Sequence, residues 1–334
     1  MEYRTLGRTG LKVSVLGFGC GDVGGLIVRG ASAERERAVA RALELGVNYF
    51  DTASSYGKGL SEQHLGQALK ALRADVYVGT KVRVAPEDTG DIGQAIARSL
   101  DASLGRLARE RVDLLQLHNS IGPTRSGNAL GTADVLDQVV PALQRLRQQG
   151  KIGFIGMTSN GETAALHRVI DSGAIDTAQV FLNLLDPSAW LEVPRGFPGQ
   201  DFDRLLSRTR AQQMGVIVVR VLAGGALSGT PARHPLAMPA VAPIATGPDY
   251  DTDVSHARRL QALVDDGHAS SLVEAALRFP LGTDAVSTVL LGYSTLEQLE
   301  YAATSVAKGP LPKAALDRLS TFWKELATST GSRA

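Results

Sequence analysis

The chain has 334 residues, with 35 Lys and Arg against 34 Asp and Glu and 44% hydrophobic residues. A formal net charge of +1 offers no basic surface for nucleic acid and no acidic solvating tail, and no run approaches the ~18 consecutive apolar residues of a membrane helix. The single cysteine, Cys20, cannot form an internal disulfide, and the opening MEYRTLGRTG lacks the apolar core of a signal peptide, so the expected compartment is the cytoplasm.

Length alone allows two average domains, but one α/β barrel commonly takes ~250 residues plus insertions, and 1–334 is read as a single domain. Residues 3 to 16 place two short strand-like segments around Gly-Arg-Thr-Gly, which predicts an N-terminal β-hairpin. Val13 to Phe18 leads into the first interior strand. Ser32 then caps a helix with Ala38, Val39, Ala42 and Leu45 on one face, and Val47 to Phe50 follows as a second strand. The unit repeats in kind. Helical stretches at about 60 to 72, 92 to 109, 133 to 149, 162 to 172, 202 to 214, 270 to 279 and 295 to 306 alternate with apolar runs at about 76 to 80, 112 to 117, 152 to 157, 176 to 181, 215 to 221 and 287 to 291. Pro312 to Leu326 reads as one more helix. The alternation predicts an α/β fold, a (β/α)8 TIM barrel, rather than an open sheet. Three connections exceed simple turns: 119 to 132, 183 to 200 and the proline-rich 223 to 255. All follow strands, which places them at the C-terminal face, where long loops shape a substrate pocket.

The chemistry concentrates at strand ends. In VNYFDTASSYG, Asp51 ends a strand and Tyr56 lies just beyond it. A phenol titrating near pH ~10 is a poor proton donor at neutral pH unless a cation sits beside it. The next strand delivers Lys81 and the one after it His118, so a parallel sheet brings all four to one edge. Asp51 and Lys81 could instead be a structural ion pair, and His118 a hydrogen-bonded structural residue. The histidines lack the clustered spacing of a zinc site, so no metal is expected. A rival reading starts from Gly19, Gly21 and Gly24, which match G-x-G-x-x-G after a strand, with Asp51 in the place of a ribose-binding acid in a Rossmann-type dehydrogenase. Its context is wrong, because GLIVRGAS postpones the helix start to about Ser32.

In this order and context Asp51, Tyr56, Lys81 and His118 resemble the catalytic tetrad of the aldo-keto reductases. The resemblance runs from RTLGRTGLKVSVLGFG through FDTASSYG, KIGFIGMTSN and VLLGYSTLEQLE, over most of the chain. It implies an NAD(P)H-dependent oxidoreductase that interconverts a small-molecule carbonyl and an alcohol, with the cofactor extended and no Rossmann domain. Tyr56 is then the general acid or base, Lys81 lowers its pKa, and Asp51 holds Lys81 and touches the cofactor. His118 orients the carbonyl or helps relay the proton. Ser159, Asn160 and Gln179 match the family's carboxamide-holding residues, suited by side chains that both donate and accept. Arg220 to Gly229 resembles the segment that covers the pyrophosphate, with Arg220, Leu222, Gly224, Leu227 and Gly229 at the cofactor and Val221 in place of the usual proline. GYSTLEQLEYA matches the adenosine-end segment, contributing Gly292, Ser294 and Gln298. Gly292 and Gln298 stand where members that prefer NADP carry a lysine and an arginine, which implies that NAD is favoured or that specificity is dual. Similarity of the same segment to the galactose dehydrogenase-like branch suggests a sugar or sugar-derived alcohol. Tyr56 and His118 would face the substrate, with Trp190, Phe197 and Tyr250 as candidate aromatic walls. The fold also serves as a non-catalytic regulatory barrel in potassium-channel beta subunits, an alternative against which the intact tetrad argues. No motif speaks to oligomeric state.

Overall fold

The computed structural model describes residues 1–243 and 245–331; of the expected unit 1–334, residues 244 and 332–334 lie outside the described ones. Tyr3–Thr5 (β1) and Lys12–Ser14 (β2) pair antiparallel as the expected hairpin. Eight parallel strands then close a barrel: Leu16–Gly19 (β3), Tyr49–Asp51 (β4), Tyr77–Val82 (β5), Val112–Leu117 (β6), Ile152–Thr158 (β9), Thr177–Phe181 (β10), Gly215–Val219 (β11) and Thr288–Gly292 (β12). Between β6 and β9, Ile121–Gly122 (β7) and Leu130–Gly131 (β8) form a two-stranded patch within the connection after β6. The barrel strands are mostly apolar because both faces are covered, one by the barrel interior and the other by helices. Those helices include Ser32–Glu44, Leu60–Ala71, Ile92–Leu107, Val140–Gln148, Thr163–Asp171, Leu205–Ala211, Leu272–Arg278 and Leu296–Val306. Lys313–Gly331 adds the expected helix at the end.

The (β/α)8 barrel, the hairpin and the strand order agree with the sequence reading, and three local differences have identifiable causes. The run Val13 to Phe18 is two strands: Val13 belongs to the hairpin, and the barrel strand begins at Leu16. This split lets Leu6 and Val13 pack with Tyr49, Leu114 and Ile217 inside the barrel, so the hairpin forms its floor. In the predicted helix 133 to 149, a wide turn spans Val135–Val139 just before Pro141, whose ring nitrogen cannot donate to the preceding turn. The connection 223 to 255 contains a helix, Tyr250–Arg258, whose N-cap Asp249 accepts from Thr252 N. Few apolar residues repeat there at helical spacing, so only the cap was readable. Among the described residues no helix is long and apolar enough to cross a membrane.

Candidate active site

The register of the barrel sets the site. Asp51 ends β4, Lys81 is the penultimate residue of β5, His118 follows β6, and Tyr56 opens a short turn five residues after Asp51. Asp51 and Lys81 are each 1% exposed. An ammonium has three protons to place. Lys81 Nζ donates to Asp51 Oδ1, to Thr52 O at 2.8 Å and to Tyr56 Oη at 3.3 Å. The second Asp51 oxygen accepts from Tyr49 Oη at 2.9 Å and from Gln116 Nε2 and Gln179 Nε2 at 2.8 Å each. The buried carboxylate is therefore saturated, which is what makes its burial tolerable. Tyr49 and Gln116 escaped the sequence reading, though both carried a signal. Tyr49 is two residues before Asp51 on one strand and shares its face, and Gln116 is a polar residue in the apolar run LLQL. Room for this cluster comes from Gly79, where a Cβ would lie 2.6 Å from Tyr49 Oη and 3.2 Å from Asp51 Oδ2.

The electrostatics separate the two groups nearest the substrate space. Burial opposes charge on Lys81, but Asp51 and then Tyr56 outweigh it and hold the ammonium above the ordinary lysine value. His118 moves the other way, to about 3, because it is desolvated and faces Lys81 and Arg83. Its imidazole is neutral across the physiological range. The Tyr56 and His118 rings meet edge to face at 5.9 Å.

Two cavities, of about 450 and 540 Å³, share Val23, Gly24, Arg220, Leu290 and Gly292 and so form one groove. The first is lined by Asp51, Tyr56, Arg83, His118, Asn160 and Gln179, among others. Ser159 lies fully buried beside it, its Oγ without a hydrogen-bond partner. Arg220 Nη1 is also buried and unpartnered, and Arg220 holds a left-handed backbone at φ 58°. Such strain in a non-glycine residue concentrates at functional sites. The second cavity takes in Leu222, Gly224, Gly292, Ser294 and Gln298, together with Arg233, Tyr250, Glu297 and Tyr301. Here the polar groups face one another: Ser294 Oγ donates to Gly24 O at 2.6 Å, and Gln298 Oε1 accepts from Ser294 N at 2.8 Å. Above the groove Met238 N donates to Val23 O at 3.2 Å and Arg29 Nε to Leu236 O at 2.7 Å, joining the loop after β3 to the loop after β11.

Some expected residues fall elsewhere. Trp190 lines neither cavity; it packs on Phe279 at 5.3 Å and against Gly282, in the helical layer. A large loop aromatic finds more apolar area there than at a wet mouth. Phe197 likewise packs against the core, and of the three candidate aromatics only Tyr250 reaches the groove. Leu227 is fully buried, and Gly229 borders a separate pocket with Arg258. The glycines at 19, 21 and 24 do border the first cavity, but the Rossmann reading ends with the closed barrel. A Cβ at Gly24 would lie 2.4 Å from Tyr293 N, so close strand packing explains that glycine, and the helix that follows has only four residues, Leu26–Arg29. Among the described residues no group of three His, Cys, Asp or Glu is placed to hold a metal ion.

Comparison with known proteins agrees with this geometry. The aldo/keto reductase family model matches residues 15–324. L-Galactose dehydrogenase of Arabidopsis thaliana is 31% identical over 318 residues, covering 92% of this chain and 89% of that protein. D-threo-Aldose 1-dehydrogenase of a Pseudomonas species is 28% identical over 331 residues, covering 90% and 92%. Among solved structures, an aldo-keto reductase from Bacillus halodurans in its holo form superposes with a TM-score of 0.72 at 27% identity, covering 98% of this chain and 96% of that one. The chain belongs to the aldo/keto reductase family.

Proposed function

We propose that this aldo/keto reductase acts in the cytoplasm as one barrel unit over residues 1–334, interconverting an alcohol and a carbonyl compound with a nicotinamide dinucleotide in the groove. The observation that carries the reading is Lys81 Nζ, which touches both the saturated Asp51 carboxylate and, at 3.3 Å, the Tyr56 hydroxyl. In reduction Tyr56 donates its proton to the carbonyl oxygen, and the adjacent ammonium stabilises the tyrosinate left behind. In oxidation the tyrosinate takes the proton back. Neutral His118, edge-on to Tyr56, orients the carbonyl oxygen and cannot serve as an imidazolium donor near pH 7. Asp51 keeps Lys81 charged and fixed.

The residues present suit the cofactor. The orphaned Ser159 Oγ with Asn160 and Gln179 supplies donors and acceptors for a carboxamide, and the orphaned Arg220 Nη1 supplies a cation for a phosphate. The bound nicotinamide would give or accept the hydride. At the adenosine end NAD(H) is favoured over NADP(H). Ser294 Oγ is committed to Gly24 O and Gln298 Oε1 to Ser294 N, and Glu297 is held ionised by its own backbone N–H and the Thr295 hydroxyl. A 2′-phosphate would meet Glu297 where other members offer two cations, with Arg233 a cation on that cavity's wall. Similarity to L-galactose dehydrogenase and D-threo-aldose 1-dehydrogenase supports a sugar-like substrate.

Tyr56→Phe tests the reading. Turnover should fall by about 10²-fold or more while dinucleotide affinity, followed by fluorescence titration, stays within a few-fold. Near-normal turnover in that variant would rule out Tyr56 as the proton donor.

A further inference from the structure

The groove holds more positive charge than its own carboxylates neutralise. Asp51 is committed to Lys81, and Asp22 pairs with Arg29 at 3.2 Å and accepts from Gly57 N at 3.2 Å. Three guanidinium groups remain on the walls, of which Arg233, in the second cavity with Glu297, is tied to Gly224 O, Met238 O and the Tyr250 hydroxyl, leaving Arg220 and Arg83. Arg220 lies where the two cavities join and belongs to the dinucleotide half. Arg83 borders only the first cavity, beside Tyr56 and His118, and is close enough to help keep His118 unprotonated. Among the described residues its side chain has no hydrogen-bond or ion-pair partner.

Arg83 is nevertheless not a loosely held surface residue. It sits between buried Val82 and buried Val84, and Val84 is clamped by Asn119, whose Oδ1 accepts from Val84 N at 2.9 Å and whose Nδ2 donates to Val84 O at 2.8 Å. The backbone that carries Arg83 is thereby fixed from both sides, and an exposed guanidinium on a fixed base points at the substrate half of the groove. Phe181, Val219, Leu290 and Met238 supply the other wall, with no carboxylate among them. An unpaired arginine facing apolar walls in a partly desolvated cleft selects for an anion that can accept its paired N–H groups.

Resting on the carbonyl–alcohol reading above, we propose that the substrate carries a carboxylate or phosphate remote from its carbonyl and that Arg83 is the residue that recognises it. Both anions present the planar or tripodal oxygens that a guanidinium binds in pairs, so the class is an acidic sugar-like aldehyde or ketone, and the test separates the two anions.

Steady-state kcat/KM at saturating reduced cofactor is compared for 4-carboxybenzaldehyde against benzaldehyde and for glyceraldehyde 3-phosphate against glyceraldehyde. Wild-type protein should favour the anionic member of at least one pair by about tenfold or more, the size of one charge-assisted hydrogen bond. The pair that shows it names the anion. Arg83→Gln should abolish the preference through KM while leaving the neutral aldehyde and the cofactor dissociation constant within about twofold, and Arg83→Lys should keep part of it. Equal use of both members by wild type, or an Arg83→Gln loss that is the same for both or appears in cofactor binding, overturns the assignment but leaves carbonyl reduction standing. Turnover of none of the four aldehydes by protein that binds the cofactor would overturn both readings.

Discussion

The two halves of the groove are built on opposite plans. At the Tyr56 end a fixed network surrounds the reacting position: three donors and Lys81 converge on Asp51, and Lys81 in turn reaches Tyr56. At the Gln298 end the polar groups satisfy each other, and the remaining wall includes Leu222, Val273 and Leu291. On the proposed mechanism the first half is preorganised for one proton transfer, while the second is held by fewer bonds. On that proposal a buried network that tolerates little change sets the chemistry, and a shallower one, alterable residue by residue, sets cofactor choice.

Breaking the first half should cost most. Lys81→Met leaves the Asp51 carboxylate buried with neutral donors alone, so both stability and rate should drop, by about 3–5 kcal/mol in unfolding free energy and by about 10²-fold or more in turnover. Chemical denaturation and kinetics corrected for the folded fraction separate the two losses. A variant that loses stability yet turns over normally would reduce Lys81 to a structural role. Gly79→Ala probes the same network without removing a charge. Its methyl group would press on Tyr49 Oη, and turnover should fall by about tenfold or more with the fold retained by circular dichroism.

The second half should respond more mildly. Gln298→Arg supplies a cation where the capping amide now bonds to Ser294 N, and NADPH affinity should rise by about tenfold with NADH affinity little changed, measured by paired fluorescence titrations at matched ionic strength. A wild-type preference for NADPH above about tenfold would contradict the placement of this segment.

The smallest expected effect is a missing one. The His118 pKa lies at about 3, below the ordinary 6.5, so its neutral form is favoured by folding. That contribution is present above pH ~6.5 and is lost as the pH falls from there towards ~3. Acid unfolding should therefore include a His118 component that His118→Gln removes, while the pH profile of kcat/KM in wild type shows no limb near 6.5. A clear inflection there would mean that the imidazole titrates in the working enzyme.

What was legible in the chain follows from how local each signal is. The barrel was readable because buried parallel strands leave short apolar runs at regular intervals, and Asp51, Lys81 and His118 because each ends such a run. Tyr49 and Gln116 were not singled out, since their importance is a cross-barrel meeting at one carboxylate oxygen, between residues 65 positions apart in the case of Gln116 and Asp51. Trp190 was misplaced because its partner, Phe279, is distant in sequence and packs it into the helical layer. Gln298 reads as a cofactor position in a motif, and it does line the groove. In the fold it is also the third residue of a helix, and its amide closes the cap begun at Thr295.

The hairpin floor carries a consequence for the order of assembly. Arg4, near the beginning of the chain, donates to Val286 O at 3.0 Å, a partner 282 residues later, and Arg8 N donates to Gln213 O at 2.7 Å. Val286 emerges late in synthesis, so the Arg4 contact forms only after most of the barrel is made, although Tyr3 and Lys12 already have partners at Gly46 and Asn48. Closure between the first and last barrel strands is under the same constraint, because β3 pairs with β12. The pairing of β3 with β12 is therefore the longest-range one in the barrel, and the facing edges of those two strands stay unpaired in a nascent chain until it forms.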